Sequence, residues 1–98
     1  MTWPIVLRPE AEADIFASRD WYARQREGLG DDFVSVIDEL FARIRESPEL
    51  FALADRNIRR AKTRRFPYIV YFRLLNNRVE VLAVLHATRD PRIWQRRA

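Results

Sequence analysis

The sequence predicts an α+β domain in which a helical hairpin packs on one face of a mainly antiparallel sheet. Apolar residues recur at helical spacing between residues 9 and 47, and the period changes to two beyond residue 55. A short apolar strand precedes both regions. A chain of 98 residues has room for one hydrophobic core, so we expect residues 1–98 to form a single domain.

The first strand leads directly into the first helix. Residues 3–7 are a short apolar strand candidate, and Pro9 follows at the position where a helix tolerates proline best. Acidic residues in the next turn lie near the positive end of the helix dipole. Residues at positions 11, 15, 18 and 22 share one face, which predicts a helix from residue 9 to about residue 25. We assign Trp21 and Tyr22 to core packing rather than to stacking on nucleobases.

The second helix follows a break that contains both glycines of the chain, Gly28 and Gly30. Two glycines are too few for a glycine-rich phosphate loop, which excludes Walker and Rossmann sites. A carboxylate of Asp31 or Asp32 is predicted to cap the helix, and Pro48 to stop it. Its core stripe consists of Phe33, Val36 or Ile37, Leu40 and Ile44. A connection of four or five residues makes the two helices antiparallel.

Three strands complete the predicted order β-α-α-β-β-β. Residues 58–66 read as a mostly basic strand, whereas residues 68–75 and 79–85 are apolar on both faces. Strands that are apolar on both faces belong at the centre of a sheet. Asn76 and Asn77 tolerate positive φ, so they predict a two-residue hairpin turn between those two strands.

The composition excludes several classes of site. The chain has no cysteine and one histidine, so disulfides and thiolate zinc sites are excluded, and we expect no metal and no cofactor. No segment reaches the roughly 18 to 20 apolar residues of a membrane span, and the N-terminus lacks the layout of a signal peptide. We therefore expect a cytoplasmic protein with no membrane contact.

Charge is divided unequally along the chain. Residues 1–55 hold 6 Arg/Lys against 12 Asp/Glu, a net charge of −6. Residues 56–98 hold 12 Arg/Lys against 2 acidic residues, a net charge of +10. This separation indicates a polyanion or an acidic protein as partner of the second half. The alternative is that the strand ends are basic for solubility alone.

Two groups of cationic residues are candidates for binding such a partner. The first group is Arg59, Arg60, Lys62, Arg64 and Arg65, which alternate between the two faces of an extended strand. These charges could instead protect a sheet edge from aggregation. The second group is Arg89, Arg92, Arg96 and Arg97, in a basic tail that Trp94 is predicted to anchor on the body. Since 17 of the 18 cations are arginine, bidentate binding of phosphate or carboxylate is favoured.

His86 and Arg73 are candidates for chemistry, each with a structural alternative. His86 ends the last strand and shares a predicted face with Leu82 and Val84. It could transfer a proton, but a histidine after an apolar strand is more often structural. Arg73 interrupts an apolar strand and could lie beside Arg65 and His86, or form a cross-strand ion pair with Glu80.

Five stretches that span nearly the whole chain carry a family resemblance. They are LRPEAEADI, DWYARQREGLGDDF, ESPELF, IRRAKTRRFPYIVYFR and VLAVLHATRDPRIW. Through them the chain resembles the RelE/ParE superfamily of toxins from bacterial type II toxin–antitoxin pairs, and within it the ParE branch. The resemblance implies a single RelE/ParE-like toxin domain over residues 1–98. It also implies that the toxin inhibits growth and forms a hetero-oligomer with an antitoxin, whose disordered C-terminal segment wraps it.

Two toxic activities occur in this superfamily. ParE-like members poison DNA gyrase, whereas RelE-like members cut mRNA in the ribosomal A site. A nuclease would use His86 as acid or base and Arg65 and Arg73 on the phosphate. The tail has no Tyr or Lys, which the ribonuclease branch tends to carry there. That departure and the ParE-like DWY…GLG and HxxRDP patterns favour gyrase poisoning without catalytic residues.

A third possibility is a non-toxic binding module that acts as co-repressor with its antitoxin. For the favoured activity the predicted contacts to target or antitoxin are Arg59, Arg60, Lys62, Arg64, Arg65, Arg89, Arg92, Trp94, Arg96 and Arg97.

Overall fold

The computed structural model describes residues 2–98, in which three helices pack around one mixed sheet. The elements in chain order are β1 (Ile5–Leu7), α1 (Pro9–Gln25), α2 (Leu29–Glu46), a 3-10 turn (Pro48–Leu50), β2 (Leu53–Asp55), β3 (Ile58–Lys62), β4 (Tyr68–Leu75), β5 (Arg78–His86) and α3 (Arg92–Arg97). The predicted α+β class is confirmed, and β2 and α3 are additions to the predicted order. None of the helices within residues 2–98 has the length and apolar content that a membrane crossing requires.

The five strands are arranged in the order β1-β5-β4-β3-β2. β1 runs parallel to β5, and the other neighbouring pairs are antiparallel. β4 and β5 therefore have a hydrogen-bonded strand on each side and are buried on both faces, which explains their continuous apolar sequences. β1 is shorter than the predicted strand over residues 3–7.

A bulge in β5 determines which way the end of that strand faces. Tyr71 pairs with Ala83 while Phe72 pairs with Val81, so Leu82 is an extra residue in the ladder. Leu82 consequently lies on the opposite face from Val81 and Val84. The prediction that His86 shares a face with Leu82 and Val84 is confirmed for Val84 and wrong for Leu82, because the bulge reverses the alternation between them.

The two faces of the sheet have different covers. The hairpin face packs against α1 and α2, with the predicted stripe Phe33, Ile37, Leu40 and Ile44 buried at its centre. The tail face is the opposite face, on which α3 lies. There Trp94 packs with Ile58, Leu82, Ala83 and Leu85.

The connection between α1 and α2 is tighter than predicted. α2 begins at Leu29, after Gly28 in the left-handed conformation with φ 81°, so residues 26–28 alone link the helices. No side chain caps this helix, and Asp31 and Asp32 lie in its first turn. A Cβ atom on Gly30 would stand 2.7 Å from the carbonyl oxygen of Arg19. Gly30 thus permits a close approach of the two helices, and the prediction that Asp31 or Asp32 caps α2 is wrong.

The basic strand also ends earlier than predicted, at Lys62. The Thr63 hydroxyl donates to the carbonyl oxygen of Phe66 and accepts from the backbone N–H of Tyr68, and Phe66 has φ 64°. Residues 63–67 therefore form a turn rather than a strand. The predicted hairpin turn is confirmed, with φ 54° at Asn76 and 60° at Asn77.

Candidate functional site

The cations of the first predicted group separate into three environments. Arg59 lies on the hairpin side of β3, where its guanidinium donates to the carbonyl oxygens of Glu49 at 3.1 Å and Phe51 at 2.8 Å. Arg60 and Lys62 face the opposite way, because they pair with Tyr71 and Ile69 of the tail face. The strand therefore does not present these cations as one patch.

Arg64 and Arg65 lie in the turn after β3 and contact the acidic side of α2. Arg64 binds Glu39 with a nitrogen–oxygen distance of 2.6 Å. Arg65 lies 3.8 Å from a carboxylate oxygen of Asp32 and stacks over the Phe66 ring at 4.8 Å. These are exposed ion pairs, so a competing carboxylate or phosphate can replace them at small cost.

Tyr71 and Trp94 form the centre of the tail face. Their rings stack at 4.7 Å with 14° between the planes, and Trp94 is 5 % exposed. Burial raises the pKa of Tyr71, and the opposing effects of Arg60 and of a hydrogen bond to Trp94 are smaller. The prediction that Trp94 anchors the tail is confirmed, and a buried ring is poorly placed to contact a partner.

A partly buried ion pair fixes the end of α3 to α1. Arg97 binds Asp14 through two contacts of 2.6 and 3.2 Å, and the two side chains are 19 % and 14 % exposed. Its carbonyl oxygen also accepts a hydrogen bond of 2.7 Å from Arg8. These contacts of Arg97 hold the tail in place.

The same ion pair closes an open edge of the sheet. The pairing of β1 with β5 ends at Val81, which leaves the next backbone groups of β5 without a neighbouring strand. The Asp14 carboxylate accepts from the Val84 N–H at 3.0 Å, and Arg97 donates to the Leu82 carbonyl at 3.2 Å. Both side chains therefore satisfy backbone groups that would otherwise be unpaired.

The remaining tail cations are exposed. Arg92 forms a bidentate contact with Asp90, with a shortest distance of 2.6 Å. Hydrogen bonds from Arg92 lower the pKa of the Asp90 carboxyl. Within residues 2–98, no carboxylate oxygen lies within 4 Å of the Arg89 or Arg96 guanidinium, and the same holds for Arg60 and Lys62.

His86 is held by the turn that follows β5. The backbone N–H of Thr88 donates to Nδ1 at 3.2 Å, so Nδ1 is an acceptor and the neutral ring carries its proton on Nε2. The Thr88 hydroxyl lies 2.7 Å from the same nitrogen. The ring also packs edge-on against Tyr68 at 5.5 Å. These contacts hold the His86 ring at the end of the strand.

The three residues that a nuclease would use are not on one surface. Arg73 lies on the tail face and binds Glu80 at 2.7 Å, as the cross-strand alternative predicted. His86 pairs with Tyr68, five residues from Arg73 along β4, which corresponds to roughly 17 Å of strand. Because Arg73 and His86 face opposite sides of the sheet, the prediction that Arg73 lies beside His86 is wrong.

A cleft of about 450 Å³ opens beside His86, between α1 and the end of β5. Residues that line it include Trp21, Tyr22, Tyr68, His86, Thr88 and Arg89. Burial, reinforced by the neighbouring Tyr68, raises the pKa of Tyr22 to about 12. Tyr22 packs in the core as predicted, but Trp21 is 52 % exposed, which contradicts its assignment to the core.

Sequence reasoning missed Trp21 as a surface residue because it adjoins the core stripe of α1. The available signal was Ala17, four residues earlier, whose small side chain leaves the space beside the indole open.

Comparisons with known proteins give one family match and one match of fold. A family model described as the ParE toxin of type II toxin–antitoxin system, parDE, matches residues 5–91. Among solved structures, a chain from the chromosomal ParDE TA system from P. aeruginosa is similar to this fold, with a TM-score of 0.64. The two sequences are 13 % identical, and the similarity covers 87 % of this chain and 96 % of that chain. At this identity the likeness extends to the fold alone. A search of curated protein sequences finds no significant match.

Proposed function

Because the chain belongs to the ParE toxin family of type II toxin–antitoxin systems, we propose that it poisons bacterial DNA gyrase and is neutralised by its antitoxin. In this proposal the toxin stabilises gyrase in its cleaved complex with DNA, and gyrase itself performs the cleavage. The protein acts in the cytoplasm and forms a hetero-oligomer with the antitoxin. It needs no cofactor or metal.

One observation carries the choice of gyrase over mRNA. Cleavage of RNA needs a proton-transfer group and cations around a single phosphate. Here His86 lies at one end of the hairpin face, whereas Arg73 lies on the tail face in an ion pair with Glu80. A gyrase poison requires no such group, and this dispersal of the side chains supports that activity.

The surface that we propose for the target lies on and beside the tail face. Among the ten predicted contact residues, Arg60, Lys62 and Arg96 lie on or beside the tail face and have no carboxylate within 4 Å in residues 2–98. Arg89 lines the cleft between α1 and the end of β5, so it is not part of this surface. Binding a partner there breaks no internal ion pair. Arg64, Arg65 and Arg92 can join after exchanging exposed ion pairs. Arg59, Trp94 and Arg97 are engaged within the chain, so we leave them out of the contact surface.

A cleavage assay tests this function directly. Purified protein is added to gyrase and supercoiled plasmid, the reaction is stopped with denaturant and protease, and linear DNA is scored. We expect linear DNA from the unmodified protein and from His86→Ala. We expect much less from the double variant Arg60→Glu, Lys62→Glu. Arg78→Glu, an exposed change in β5 next to its turn with β4, is the matched control and should retain activity.

The other activities have their own outcomes. Growth arrest without linear DNA would contradict gyrase poisoning and favour a ribosome-dependent endoribonuclease of RelE type. Induction without growth arrest would favour a non-toxic binding module or co-repressor.

A further inference from the structure

The proposed target surface leaves the cleft between α1 and the end of β5 unused. Its volume of about 450 Å³ suits one or two side chains rather than a folded surface. It is open to solvent beside Trp21, and its lining side chains are aromatic on one side and polar on the other.

The polar side of the cleft offers hydrogen-bond donors. The Arg89 guanidinium has no carboxylate within 4 Å in residues 2–98. The Nε2–H of His86 has no hydrogen-bond partner in the same part of the chain, since the ring is bound through Nδ1. Among residues 2–98, no Asp or Glu lines this cleft. Asp14 lines the adjoining cavity, where its carboxylate is bound by Arg97. The donors of Arg89 and His86 match an anionic acceptor such as a carboxylate.

The aromatic side of the cleft is formed by an exposed indole that packs against Tyr22. Tyr22 contacts Trp21 edge-on, with ring centroids 5.1 Å apart and planes at 86°, and Tyr22 itself stacks on the buried Phe33. The exposed part of Trp21 therefore offers an apolar surface that Tyr22 supports from the core side. Rigid tryptophans beside a polar group are typical of the residues that dominate binding energy in interfaces.

We propose that this cleft binds an acidic, apolar-containing segment of the antitoxin. One carboxylate of the segment lies on Arg89 and His86, and a neighbouring apolar side chain packs against Trp21. The inference rests on the proposed function, because it assigns a site to the antitoxin named there. Two observations support a peptide. The charge of one unpaired arginine is balanced by one carboxylate, and the cleft volume fits single side chains. A nucleic acid strand would instead need a series of cations along its phosphates.

An extended segment suits the cleft better than the folded gyrase does. Disordered segments insert single side chains into narrow sites as they fold on binding. The site also lies apart from Arg60 and Lys62 on the tail face, so one partner segment can hold the cleft while another part covers the proposed target surface.

The test measures binding of the purified cognate antitoxin, and of a synthetic peptide of its acidic segment, to the full chain by isothermal titration calorimetry. We expect Arg89→Glu and Trp21→Ala each to weaken the antitoxin by about tenfold or more, the range of interface hot spots. Arg89→Lys and Trp21→Phe should retain most of the affinity. Arg78→Glu, the same charge reversal in β5 near its turn with β4, should leave the affinity unchanged. Urea midpoints equal to that of the unmodified chain exclude loss of folding.

Tryptophan fluorescence gives a second readout. Trp21 is the most exposed of the three tryptophans, so it should dominate quenching by acrylamide. Antitoxin binding is expected to protect the unmodified chain from quenching, and this protection should disappear in Trp21→Phe.

Three outcomes would overturn the inference. Unchanged affinity in Arg89→Glu and Trp21→Ala would show that the cleft contributes nothing to this complex. If these two variants kept normal antitoxin affinity but produced no linear DNA in the gyrase assay, the cleft would belong to the target instead. Binding of a single-stranded oligonucleotide that Arg89→Glu abolishes, with antitoxin affinity unchanged, would favour nucleic acid. Failure of the proposed function is distinguishable from failure of this inference. It would be seen as absence of linear DNA with the unmodified chain, in an assay that contains no antitoxin.

Discussion

The two faces of the sheet are stabilised in different ways. Two helices of 17 and 18 residues cover the hairpin face, and the large side chains between helix and sheet are fully buried. α3, with six residues, covers the tail face, and a helix of this length is not stable in isolation. Its position depends on Trp94 against Tyr71 and on Arg97 against Asp14. The helices of the hairpin face are therefore held by a large buried area, whereas α3 is held by the packing of Trp94 and the hydrogen bonds of Arg97.

The proposed target surface therefore lies around α3, the part of the molecule with the smaller buried area. The ion pairs of Arg64 and Arg65 connect the sheet to the acidic hairpin, whereas Arg60, Lys62 and Arg96 remain available around α3. Regions with few buried contacts open first in local unfolding. We expect the tail to exchange its amide hydrogens faster than the hairpin core.

Removing Phe33 would have the largest effect. Its ring is fully buried and lies within 5.7 Å of the ring centroids of Tyr22, Phe66 and Tyr68. Phe33→Ala should lower the free energy of unfolding by about 3–5 kcal/mol, measured by urea denaturation. Trp94→Ala should instead release α3 and leave hydrogen-exchange protection at Val70 and Val81 in place. Equal loss of that protection in both variants would show that the two faces unfold as one unit.

Breaking the Asp14–Arg97 pair is the next largest change. Asp14→Asn leaves the Arg97 charge without its partner in a partly buried site, which should cost about 2–3 kcal/mol in urea denaturation. Asp90→Asn is the control, since the Asp90–Arg92 pair is exposed, and its unfolding midpoint should not change measurably. If Asp14→Asn were as mild as Asp90→Asn, α3 would be held by Trp94 alone.

The two glycines distinguish close packing from backbone conformation within the hairpin. Gly30→Ala places a methyl group 2.7 Å from a backbone oxygen of α1, which should cost about 1–3 kcal/mol. Gly28→Ala meets no atom within 4 Å but retains φ 81°, so the cost is that of the left-handed conformation, about 1 kcal/mol. Both are measured by urea denaturation. A neutral Gly30→Ala would mean that the helices separate more easily than their contact indicates.

Alkaline pH should lower stability only within a narrow range. The pKa of Tyr22 is about 12 in the folded chain and about 10 in an unfolded one, so its contribution to stability is complete below pH 10. Between pH 10 and 12 the unfolded state ionises first, and stability falls. In Tyr22→Phe this fall should be shallower, as followed by urea midpoints at pH 8 and 11. An equally steep fall in the variant would assign the alkaline loss to other groups, including Tyr71, whose pKa is also raised.

Local patterns were sufficient for the elements of the fold. Helical spacing predicted the end of α1 at Gln25 and the buried stripe of α2, and the Asn76–Asn77 pair predicted the hairpin turn. Errors occurred where a side chain or a glycine acts across the chain. Thr63 closes a turn that ends β3 early, and Gly28 allows α2 to begin at Leu29.

The candidate site was predictable in its residue types and not in its arrangement. The excess of positive charge in the second half is a property of composition. The orientation of His86 depends on the Leu82 bulge, which appears only when β5 pairs with β4. The exposure of Trp21 depends on the open cleft between α1 and the end of β5, which local sequence does not show.

The sequence by itself determined the helices and strands, the apolar surfaces that they bury and the sign of charge in each half, because these depend on residues close in the chain. Only the tertiary structure decided which cations are free. Arg64 meets Glu39 across 25 residues, and Arg97 meets Asp14 across 83. An ion pair depends on distances of a few ångströms between atoms that the fold brings together, and local sequence carries no record of those distances.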